Sequence, residues 1–123
     1  MTQTNLYPRG AIYYVDLGEP DGTSIQAGIR PCLLISSDIN NKHSPNLNII
    51  SLTSSSNKTS RGKGRLPIHI YITAEESGLP KDSICLCEQQ RTVPKTSLRG
   101  FITLLSDETM ARVSEGLRIQ LSL

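Results

Sequence analysis

A small, strongly curved, mainly antiparallel β-sheet or partial barrel, closed by one C-terminal helix, is the fold that this sequence predicts. Three observations lead there. Six short runs of apolar and β-branched residues are separated by turns rich in Gly, Pro, Ser and Asn. Sustained helical periodicity comes only at the end, where Met110, Val113, Leu117 and Leu121 share one face. The chain of 123 residues, 4% aromatic and without Trp, fits one domain (1–123) with a single aliphatic core.

The elements follow in order. Arg9–Leu17 is rich in β-branched and aromatic residues and reads as the first strand. Gly18–Ser24 is a dense turn signal, so a long polar loop precedes the second strand. That strand, Gly28-Ile29-Arg30-Pro31-Cys32-Leu33-Leu34-Ile35-Ser36, organises the chain. Pro31 lacks an N–H and belongs at a strand entrance or edge, and it holds Arg30 extended. Gly28 permits a sharp turn or a close approach just before it. Residues 37–45 offer caps and turns for one short helical turn. Asn48–Thr53 is the third strand, and Ser54–Arg65, with no apolar residue, is a mobile basic loop. Leu66–Ile72 alternates, which sets Ile68, Ile70 and Ile72 against His69 and Tyr71. A turn through Ser77–Asp82 leads into Ser83–Cys87, which runs on through Glu88-Gln89-Gln90-Arg91. Leu98–Leu105 is the last strand. Ser106 is a natural N-cap, and Asp107 and Glu108 suit the positive end of the helix dipole that follows.

A net charge of +2 is too small to diagnose a nucleic-acid partner, but the distribution is uneven. No acidic residue lies between Asp38 and Glu75, while Lys42, Lys58, Arg61, Lys63 and Arg65 do. The N-terminal residues lack the basic and apolar regions of a secretory signal, and no apolar run is long enough to span a membrane. Cys32, Cys85 and Cys87 are an odd set, best read as reduced packing residues of a cytoplasmic protein. A zinc set with His43 or His69 fits less well, because Cys85 and Cys87 are only one residue apart. No metal and no cofactor are expected.

Four polar items stand near strand ends: Arg30, Thr53, His69 and the Glu88/Gln89/Arg91 group. A planar, permanently charged donor at a strand mouth suits a phosphate, yet Arg30 also suits a carboxylate partner. Thr53 can serve the backbone, His69 can be a solvated strand histidine, and Glu88 with Arg91 can be an exposed pair. There is no phosphate-binding Gly-rich loop, His-Glu-x-x-His helix or nucleophile elbow. The residues alone reach a β domain with one basic face and a candidate phosphate site.

The motifs carry further. Arg9-Gly10-x-Ile12-Tyr13-Tyr14-x-Asp16-Leu17 and Gly28-Ile29-Arg30-Pro31 are followed by Asp38-Ile39, Ser44-Pro45, Leu52-Thr53 and Leu66-Pro67-Ile68-His69. Lys81-Asp82-Ser83, Glu88-Gln89-x-Arg91-Thr92 and Leu105-x-Asp107-Glu108-Thr109-Met110 complete the order. This series closely resembles the MazF/PemK toxin family, most of all its Gram-positive branch of cytoplasmic endoribonucleases. The resemblance implies an SH3-like curved barrel with a C-terminal helix, of the MazF/PemK/CcdB-like toxin kind, assembled as a homodimer. It implies the toxin of a type II toxin–antitoxin pair, cleaving single-stranded RNA without a metal to leave a 2′,3′-cyclic phosphate and a 5′-hydroxyl. It puts Arg30 and Thr53 at the cleavage site. His69, Glu88, Gln89 and Arg91 match RNA-contact positions, and Lys58, Arg61, Lys63 and Arg65 supply a basic loop for RNA. A MazE-like antitoxin is the implied protein partner. Pro94, in place of an acidic residue, and the long loop at 54–65 depart from the family pattern and bear on cleavage preference. The reading to be weighed against this one is a non-catalytic SH3-like binding module or a topoisomerase-inhibiting relative.

Overall fold

The structure is a computed structural model, which describes residues 6–54 and 66–123. Six strands form one antiparallel sheet: β1 (Ala11–Asp16), β2 (Ile29–Leu34), β3 (Asn46–Ser54), β4 (His69–Ile72), β5 (Ser83–Pro94) and β6 (Leu98–Leu104). Their spatial order is β4-β5-β3-β2-β1-β6. Three helices accompany them: α1 (Asp38–His43), α2 (Ala74–Ser77) and α3 (Asp107–Leu121). The six expected strands and the late helix are present, while α2 was not anticipated.

β3 lies at the centre and is buried on both faces, with Leu47, Ile49, Ile50 and Leu52 all at 1% exposure or less. Side chains alternate along a strand, so this run divides into two sets. Ile50 and Leu52 join Ile12, Leu33, Ile72, Cys85 and Cys87 under α3. Leu47 and Ile49 join Ala11, Val15, Cys32, Leu34 and Val93 on the opposite face, covered by Tyr7, Tyr13 and Leu98. The single core expected from composition is therefore two apolar clusters back to back.

Ser106 caps α3 by accepting from the Thr109 N–H. Met110, Val113 and Leu117 pack on the sheet as their spacing predicts. Gly116 sets how close the helix comes: a Cβ there would lie 2.9 Å from Cys87 Sγ and from Ile70 Cδ1. Leu121, expected on the buried face, is 50% exposed at the last residue of the helix. The strand expected over 66–72 begins only at His69, because residues 66–68 form a turn in which the Leu66 carbonyl accepts the His69 N–H at 2.9 Å. The Ile68/Ile70/Ile72 face is as read, with Ile72 in the cluster under α3 and Ile68 and Ile70 packed against it. β5 runs to Pro94, further than expected. Its pairing with β3 shifts register between Ile50 and Leu52, which is a bulge. Lys58, Arg61, Lys63 and Arg65, with most of the basic loop, lie outside the described residues.

Candidate active site

The site begins where a ladder ends. β2 and β3 pair at Cys32↔Ser51, Leu33↔Ile50 and Leu34↔Ile49, and no partner is paired on that side at Pro31 or before it. Pro31 has no N–H to give to such a ladder. On its other side β2 stays paired with β1 through Tyr14↔Pro31 and Val15↔Arg30. Beyond the Cys32↔Ser51 pair the ends of β2 and β3 part, and Arg30 and Thr53, 23 apart in the chain, both line the opening between them.

A pocket of about 290 Å³ occupies that opening. One wall is Tyr14, Arg30 and Pro31, and the floor is Leu52, Thr53 and Ser54. The turn from α2 into β5 completes the lining, with Leu79, Pro80, Lys81 and Ser83. Arg30 is exposed and donates from Nε to the Ala27 carbonyl at 3.0 Å. That single bond orients the guanidinium and leaves its two terminal nitrogens without a hydrogen-bond partner among the described residues. Thr53 is buried, at 5% exposure, and its backbone is registered with Ile84 of β5. Among the described lining residues there is no carboxylate and no imidazole. The arrangement offers a fork of cationic donors and a hydroxyl to an anion, and offers no conventional base.

The other sequence-derived residues fall elsewhere. His69 Nε2 and Glu88 Oε2 are 2.8 Å apart across β4 and β5, and neither lines the pocket. Gln89 and Arg91 hold the β1–β2 loop. Arg91 donates to the Gln26 and Leu17 carbonyls, both at 3.2 Å, and Gln89 Nε2 donates to the Ser24 carbonyl at 3.3 Å. The Gln26 N–H returns a bond to Gln89 Oε1 at 3.4 Å. Gly28 closes the base of this loop at φ +76°, with its N–H on the Gly18 carbonyl at 2.7 Å. The three cysteines are free and buried. Burial pushes the Cys32 thiol up to about 12, so it is no thiolate nucleophile. Among the described residues, no three His, Cys, Asp or Glu side chains are grouped to hold a metal ion.

The residues that sequence reasoning missed are those of the α2–β5 turn, above all Lys81. Its signal was present as Lys81-Asp82-Ser83 behind a Gly-Leu-Pro turn, but nothing in the chain shows which strand end that turn folds over.

Comparison with known proteins gives relatives of the whole chain and of its fold. The profile of a family described as PemK-like, MazF-like toxin of type II toxin–antitoxin system matches residues 8–121. Endoribonuclease EndoA of Bacillus subtilis (strain 168) is 40% identical over 115 residues, which is 94% of each chain. A mycobacterial endoribonuclease solved in complex with its cognate antitoxin shares the fold at a TM-score of 0.73 and 22% identity, over 94% of this chain and 95% of that one. MazF from Deinococcus radiodurans does so at 0.73 and 19%, over 94% and 96%.

Proposed function

The chain belongs to the PemK-like, MazF-like toxin family of type II toxin–antitoxin systems, and on that premise we propose that it is an endoribonuclease whose cleavage site is the pocket between Arg30 and Thr53. The observation that carries this is that Arg30, a cation with open hydrogen-bonding capacity, and the buried Thr53 line one pocket whose described lining holds no carboxylate. The EndoA relative favours RNA cleavage over a non-catalytic module or a topoisomerase inhibitor.

The proposed substrate is single-stranded RNA. The 2′-oxygen attacks the adjacent phosphorus while the bond from phosphorus to the 5′-oxygen breaks, giving a 2′,3′-cyclic phosphate and a 5′-hydroxyl. The 2′-hydroxyl proton leaves to a base, and the departing 5′-oxygen gains a proton. Negative charge builds on the non-bridging oxygens, where a bidentate guanidinium is most effective, and the Thr53 hydroxyl adds a donor. Arginine scarcely deprotonates, so Arg30 is assigned to the charge and not to the base. The imidazole of His69, held by Glu88, is too far round the sheet to line the pocket, and the base stays unassigned. Gln89 and Arg91 are spent on the β1–β2 loop in this conformation, so contact with RNA through them requires those bonds to be exchanged.

The proposal extends to the setting and the assembly. Three buried, unpaired cysteines suit a reducing cytoplasm. One toxin domain accounts for the chain, and an antitoxin partner is supported by the mycobacterial complex. A homodimer is supported by edge strand β6, where Phe101 is 58% and Leu104 53% exposed beside the Tyr13 ring. Light scattering at micromolar concentration should give twice the mass of 13.5 kDa, and the monomer mass would refute it. The activity itself is tested by incubating RNA with the protein in EDTA and mapping the product ends. Cleavage to cyclic phosphate and 5′-hydroxyl ends is expected, and a strict need for added Mg²⁺ or Zn²⁺ would refute the metal-free reading.

A further inference from the structure

Arg30 is not the only cation at the pocket. Lys81 lines it too, from the turn between α2 and β5, exposed and in no ion pair among the described residues, and the described lining holds no carboxylate to neutralise either charge. Two cations facing one cavity from separate elements suit a polyanion better than a single anion.

The turn that carries Lys81 is built to hold still. It leaves α2 at Gly78, which adopts the left-handed cap conformation, and the buried Ser77 hydroxyl accepts the Leu79 N–H at 3.1 Å. At its other end the Asp82 carboxylate accepts the Ala74 N–H at 2.7 Å and the Tyr71 hydroxyl. α2 is itself latched to α3, because Glu76 accepts from Thr109 Oγ1 at 2.8 Å and from Arg112. Arg112 also donates to the Tyr71 carbonyl at 2.7 Å. Glu76 and Asp82 are thus engaged with other partners, and Glu75, exposed on α2, does not line the pocket. Lys81 alone projects from the fixed turn without one.

We infer that Lys81 is a second phosphate-binding residue of this site, holding a phosphate next to the scissile one while Arg30 serves the scissile phosphate itself. The inference rests on the RNA-cleaving reading above and adds the pairing of each cation with its own linkage. It predicts that Lys81 contributes to binding and to the register of the strand, with little share in the chemical step.

The test uses two readouts on the full chain. The first is affinity for a labelled single-stranded RNA made uncleavable by a 2′-deoxynucleotide at the mapped cleavage linkage. Losing one phosphate contact from a single strand should lower the slope of log affinity against log salt by about 0.7. Lys81→Ala should show that drop, and Lys81→Arg should restore it. Single methylphosphonates, which remove one negative charge, should weaken wild-type binding at one linkage adjacent to the scissile one. Lys81→Ala should be insensitive to that same replacement. The second readout is cleavage: KM should rise several-fold in Lys81→Ala with kcat within about twofold of wild type. An unchanged salt slope would overturn the inference, as would equal sensitivity of both proteins to every methylphosphonate, or a loss confined to kcat. In each of those cases wild-type cleavage leaves the endoribonuclease reading standing. A wild-type protein that neither binds nor cleaves RNA would overturn that reading, and this inference with it.

Discussion

Two clusters of polar residues flank the same short turn, and they use their charges in opposite ways. At the junction of α2 with α3, Glu76 accepts from the Thr73 N–H, Thr109 and Arg112, so its charge is matched from three sides. At the mouth of β2, Arg30 gives one bond to a carbonyl, and its two terminal nitrogens have no partner among the described residues. The first cluster holds the fold, and the second has binding capacity left over. The difference teaches that a polar side chain here has capacity for a ligand only where the chain does not already satisfy it. Gln89 and Arg91 make the same point, since both occupy family motif positions and both are bonded to the β1–β2 loop.

The largest effect that sharpens this contrast is on catalysis. Removing one preorganised donor to a developing oxyanion typically costs about 10²–10³ in rate. Arg30→Ala should lose that much single-turnover cleavage at saturating RNA, while its thermal midpoint stays within a degree or two of wild type. An equal loss of stability would place Arg30 with the structural cluster.

The smaller effect is on stability, and it runs through pH. Burial alone would raise the Glu76 carboxyl, but hydrogen bonds from Thr73, Thr109 and Arg112, with the Arg112 charge, outweigh it and hold the pKa at about 2. In the unfolded chain a glutamate titrates near 4.3. The folded state therefore gains from Glu76 above the unfolded value and loses that gain as pH falls through about 2. With the Glu76 side chain 30% and the Arg112 side chain 46% exposed, solvent screening leaves a contribution of about 1 kcal/mol. Glu76→Gln should be less stable by that amount at pH 7 and close to wild type at pH 2, measured by denaturant titration. A variant as stable as wild type at both would show the cluster contributes nothing.

Much of the fold was legible because its signals are local. Short β-branched runs bounded by Gly and Pro marked the six strands, and Ser106 with its acidic neighbours marked the start of α3. Four residues, Ala74–Ser77, are too few for periodicity, so α2 escaped notice although Thr73 and Glu76 spell a capping box. The bulge in β5 was hidden for another reason: it exists only against β3, and no run of residues announces its partner's register. The site divides the same way. Arg30 and Thr53 stood out by motif and strand-end position, and both line the pocket at those strand ends. Lys81 lines the same pocket only through the long-range placement of the α2–β5 turn, which the local sequence does not contain.

The central claim is that RNA is engaged between Arg30, Thr53 and the Lys81 turn, and by no surface that the fold has already satisfied. Amide and arginine Nε chemical shifts of ¹⁵N-labelled protein, titrated with the uncleavable RNA, test it most directly. The account predicts the largest changes at Arg30 Nε and at the amides of Thr53, Ser54 and Lys81, with Glu76, Thr109 and Arg112 unmoved. Changes centred on the α2–α3 junction or on His69 and Glu88, with Arg30 and Thr53 silent, would contradict it.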